Sequence, residues 1–118
     1  MRTEALNIES IENLLSCYQL AIWALPKVTR HEGYPYYPDE ISDFMNLLER
    51  PPWVAYEYQP KKIRSILDSI DRATFEEVRW ALTAAARAER FCEGSWELTL
   101  RNRLLDPVLK RLQDLHHA

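Results

Sequence analysis

The stretch ARAERFCEGSWE, residues 86–97, places Arg87, Glu89, Arg90 and Glu93 within seven positions. Arg87 and Arg90 are three apart, so on a helix their guanidinium groups can converge on one carboxylate or phosphate through forked donors. Glu89 and Glu93 are one helical turn apart, and two carboxylates so placed could line a pocket as acid and base or hold a cation. The apolar residues upstream make Glu89 the focus. At about 100° per residue, Phe75, Val78, Leu82, Ala85 and Ala86 share one sector and Glu89 falls near its centre, with Glu93 on the same side. A carboxylate on a core face is costly unless something meets it. Three readings follow: a structural partner, either Arg101, Arg103 or the unpaired N–H groups of a helix starting at Ser95; a binding or catalytic pair with Glu93; or a distorted, half-exposed sector. Arg79, Arg87 and Arg90 could together hold an anion, or with Glu76 interleaved form a salt-bridged, solvated face.

A second group of residues suited to binding is aromatic. GYPYYP and PPWVAYEYQP hold five of the six tyrosines and one of the four tryptophans. Tyr36, Tyr37 and Trp53 are the candidates here, since rings on restricted loops bind at low entropic cost. The plainer reading is that these rings cover one end of a helical core. His31 stands alone, His116 and His117 read as a frayed end, and neither Cys17 nor Cys92 has a second Cys or His at ligand spacing, so no metal site is expected. Without a Gly-rich phosphate loop or a nucleophile with a base, no cofactor is expected either.

Helices must position these groups. Ile8, Ile11, Leu14, Leu15, Tyr18, Ile22 and Leu25 predict a helix over 8–25, ended by Pro26. KVTRHEGYPYYP reads as an ordered extended loop. A helix follows with Ile41, Phe44, Met45 and Leu48 buried, its N-cap at Asp39 or before Pro38, and Pro51 and Pro52 stop it. Residues 53–58 alternate, with Val54, Tyr56 and Tyr58 against Trp53, Ala55 and Glu57; they predict a short extended segment with no partner strand. Ile63, Ile66, Leu67 and Ile70 mark a short helix begun by Pro60. Thr74 and Glu77 match a capping box for a helix from Phe75 to about Cys92, with Gly94 beyond its end. On that helix Arg79, Thr83, Arg87 and Arg90 fall in the polar sector. Ser95 can cap the next helix, a turn lies near Asn102, and Asp106 with Pro107 opens the last.

A chain of 118 residues, 47% hydrophobic and 28% charged, fits one domain with one core. The N-terminal segment is broken by acids and no run approaches the length of a membrane span, so a cytoplasmic, soluble protein with reduced cysteines is expected. Residues 1–59 hold four Lys/Arg against nine Asp/Glu (−5), and residues 60–118 hold eleven against nine (+2), which lets the halves attract. Basic residues are interleaved with acids, against the clustered footprint that nucleic-acid binding needs.

The C-terminal segment ALTAAARAERFCEGSWELTLRNRLLDPVLKRL resembles the DUF6508 family, small bacterial proteins of unknown function, over roughly the last 40 residues. The resemblance lies in an apolar helix running into R-x-E-R-F-x-x-G and then an L-K-R-L ending. Arg87, Glu89, Arg90, Phe91, Gly94 and Leu109 to Leu112 are the matching positions. This chain departs at Ser95, where the family often has His, and at Arg103, where it often has Gly after Asn; any site needing that histidine is missing here. The resemblance implies a compact, mostly helical bacterial protein and no established activity.

These observations predict an all-α single domain spanning 1–118, a bundle of five or six helices with one extended aromatic segment at 53–58. The expected role is an accessory or protein-interaction module, with a protein partner or a second copy in a homodimer. The alternative is a small-molecule or anion-binding protein, enzymatic or not, using Arg87, Glu89, Arg90 and Glu93 beside Tyr36, Tyr37 and Trp53.

Overall fold

The computed structural model describes residues 7–117. The acid-broken residues 1–6, expected not to form a signal peptide, lie outside it. Among the described residues, six α-helices run in the order α1 (Ile8–Trp23), α2 (Asp39–Leu48), α3 (Pro60–Asp68), α4 (Phe75–Arg87), α5 (Ser95–Arg101) and α6 (Asp106–His117). The fold is all-α, as the periodicities predict. None of these helices is long and apolar enough to cross a membrane.

The helix ends follow local chemistry. Asn7 caps α1 by accepting the N–H of Glu9, and Pro26 falls in a 3-10 turn, Leu25–Lys27, just past the helix. Thr74 and Glu77 form the predicted capping box at the start of α4. Ile41, Phe44, Met45 and Leu48 of α2 are all buried. With Leu14 and Tyr18 of α1, Trp53, Val78 and Leu82 of α4, Leu100, and Val108 and Leu112 of α6, they form one apolar cluster. His116 and His117 belong to α6 rather than to a frayed end.

Extended structure is found at a different place. Residues 53–58 form no strand: Trp53, Val54 and Ala55 are buried in succession, and Tyr56 and Glu57 are exposed. The alternation read from sequence fails because α4 reaches this segment. Thr83, expected on a polar face, is fully buried and accepts the Ala55 N–H at 2.8 Å, while Arg79 donates to the Val54 carbonyl. The strands are instead β1 (Thr29–His31) and β2 (Tyr34–Tyr36), an antiparallel hairpin inside the segment read as an extended loop. Its two loop residues, Glu32 and Gly33, have φ of 53° and 88°, the positive values a tight hairpin turn requires.

α4 also ends sooner than its composition predicts, at Arg87 rather than Cys92. A 3-10 turn, Ala88–Arg90, follows, and Gly94 at φ 94° turns the chain into α5. Ser95 does not cap that helix; its hydroxyl donates back to the Cys92 carbonyl at 2.6 Å.

Candidate functional site

The turn between α4 and α5 gathers the arginine and glutamate residues. Glu89 is half-buried and each of its oxygens is engaged. Oε2 accepts the Gly94 N–H at 2.8 Å, and Oε1 accepts the Trp96 N–H and the Tyr37 hydroxyl, both at 2.9 Å. Of the structural partners open to it, the amides at the start of α5 are the ones it uses, and Arg101 and Arg103 pair elsewhere. A side chain that captures backbone amides ahead of it draws the chain out of the helix, which accounts for the early end of α4.

Arg87 and Arg90 do converge on one partner, Glu49 at the end of α2, at 2.9 and 3.1 Å. Arg87 also lies over the Tyr58 ring, 5.4 Å from its centre. Glu93 is exposed and shares no hydrogen bond or ion pair with this set.

Tyr37 links this turn to a second carboxylate. Its ring packs on Trp96, centroids 5.2 Å apart, and its hydroxyl accepts the Glu97 N–H at 3.4 Å. Burial first, and then the hydrogen bond to Glu89, push the Tyr37 phenol above its ordinary value. Glu97, 6% exposed, is the most buried acid described, held by Arg30 of β1 and by Arg101 at 2.7 Å. Glu97 and Glu49 are the residues sequence reasoning missed. The four-residue spacing of Glu97 and Arg101 was a signal; nothing local marked Arg30 or Glu49 as partners.

The aromatic candidates divide. Tyr37 joins Glu89, Trp53 is core at 1% exposure, and Tyr36 stands exposed on the hairpin, edge-on to His31. No cluster of His, Cys, Asp and Glu suited to a metal occurs among the described residues.

Phe91 behaves unlike its neighbours. It is 83% exposed, the most exposed large apolar side chain described. It edges a groove of about 350 Å³ between α3 and α4, walled by Tyr58, Pro60, Ile63, Ala84 and Ala88.

A family model described as a family of unknown function, DUF6508, matches residues 29–118, from the first strand through the last helix. The chain belongs to the DUF6508 family. The matched segment includes every residue of the α4–α5 turn and its partners in the hairpin and α2. No curated protein and no solved structure matches the chain.

Proposed function

We propose that this DUF6508 protein is an interaction module whose docking face is the groove beside Phe91. One observation carries the reading: in a single turn, Arg87, Glu89 and Arg90 are bound internally, whereas Phe91 projects into solvent beside an apolar groove. An exposed aromatic ring next to an apolar cleft is the arrangement that anchors protein interfaces. The anion-binding alternative has less to work with, because an incoming phosphate or carboxylate would have to displace Glu49 from both guanidinium groups.

A photo-crosslinking amino acid at position 91, in the protein at its native level in its source cells, tests this. The expected result is a discrete crosslinked protein species from position 91 and none from the exposed control position Arg72. No species from position 91, or equal capture at both positions, would overturn the reading.

A further inference from the structure

We propose that a second cleft between α3 and α4 binds a free α-amino acid with an apolar side chain, best an aromatic one. The cleft holds about 390 Å³, within the range of small-molecule sites, and shares no wall residue with the groove beside Phe91. Its α3 side carries Lys62, Ser65 and Ile66, and its α4 side carries Glu76, Glu77 and Trp80.

Opposite charges thus line one cleft from different helices without pairing. Lys62 and Glu77 have no ion-pair partner among the described residues, whereas Glu76 is met by Arg79 at 2.6 Å. An anion or a cation would answer one of the two free charges, and a zwitterion answers both. The ligand carboxylate goes to Lys62 and the Ser65 hydroxyl. Its ammonium goes to Oε2 of Glu77, since Oε1 already accepts the Thr74 N–H of the capping box. The Trp80 indole supports the same ligand independently. Its N–H is buried with no acceptor among the described residues, an uncommon state that an acceptor from outside the chain relieves. The second carboxylate oxygen supplies that acceptor, and the indole ring offers an aromatic side chain a surface to pack on. The facing wall can shift to admit it, because Ile66 is the one buried side chain of α3. With Lys62 and Ser65 exposed, binding is weak, with Kd on the order of 0.1–1 mM.

Titration of the full chain with L-phenylalanine to about 10 mM, followed by NMR, reads this directly. The four tryptophans give separate indole N–H signals, and the one lost in Trp80→Phe is that of Trp80. A saturable downfield shift of this signal is expected. 3-Phenylpropionate, which lacks the ammonium, and phenethylamine, which lacks the carboxylate, should each bind about 5-fold more weakly or worse. Lys62→Gln should weaken L-phenylalanine by a similar factor. Glu77→Gln keeps an oxygen for the capping box, so the start of α4 is preserved. That variant should weaken L-phenylalanine about 5-fold and leave 3-phenylpropionate unchanged. No saturable shift at Trp80, analogues that bind as well as the amino acid, or parent-like affinity in either variant would overturn the proposal. The crosslink at position 91 is read separately, so the two sites stand or fall apart.

Discussion

Glu89 serves three donors with two oxygens, and that division predicts how its amide analogue behaves. In Glu89→Gln the single oxygen can keep the Trp96 N–H and the Tyr37 hydroxyl, but the NH₂ group then faces the Gly94 N–H, donor against donor. The expected loss of stability is about 1–3 kcal/mol, the cost of one unpaired amide and a weakened charge-assisted set. Amide exchange followed by NMR should show the Gly94 N–H losing protection while Trp96 keeps most of its own; equal protection at Gly94 in parent and variant would contradict the geometry. Tyr18 and Tyr37 give a pH signature. Burial first, then bonds to Asp106 and Glu89 respectively, raise both phenols. A raised folded-state value means their contribution is complete below about pH 10, the unfolded value, and is lost as pH climbs through the folded value. Phenolate absorbance should therefore show a late-titrating class that Tyr37→Phe reduces. An unchanged alkaline profile in that variant would contradict the assignment. That Glu89 needs a partner is legible in sequence, because the helical period places it on the apolar side. The burial of Glu97 is not, since it depends on Arg30, 67 residues away in the chain.

At the scale of elements, the six helices are legible because each carries apolar spacing, and several carry a cap or a proline where the structure begins or ends them. The exceptions have tertiary causes. Residues 53–55 are buried as a block because Arg79 and Thr83 bond their backbone, and α4 stops early because Glu89 captures amides beyond it. The hairpin was hidden by tyrosines and prolines that read as loop, although Glu32–Gly33 carried a turn signal. α3 is the least anchored helix. Ile66 is its one buried side chain and lies outside the main apolar cluster, and no side-chain hydrogen bond joins α3 to another element among the described residues. A segment held by so little opens locally below the free energy of global unfolding. Hydrogen exchange should therefore be much faster over the hydrogen-bonded amides of α3 than over the middle of α4. Equal protection of the two helices would show that α3 is anchored more firmly than its contacts imply.

Across the whole molecule, ion pairs tie distant segments together around the α4–α5 turn. Glu49, from the acidic half of the chain, meets Arg87 and Arg90 of the basic half, and Arg30 reaches Glu97 in the opposite sense. The charge asymmetry thus foretells the first tie and not the second, because it records totals and the pairing is set by where the hairpin lands. One turn divides its labour: Glu89 braces the fold through the Gly94 and Trp96 amides, and Phe91 stands exposed, the ring we propose for a partner. Equilibrium urea unfolding of Glu89→Ala and Phe91→Ala tests that division. Glu89→Ala should cost about 2–4 kcal/mol, since it strands two amides and a phenol. Phe91→Ala should stay within about 0.5 kcal/mol of the parent, as substitutions at exposed positions do. A Phe91→Ala loss above about 1.5 kcal/mol together with a Glu89→Ala loss below about 0.5 kcal/mol would contradict the account, because costs of that order would place the ring in the core and the carboxylate on the surface.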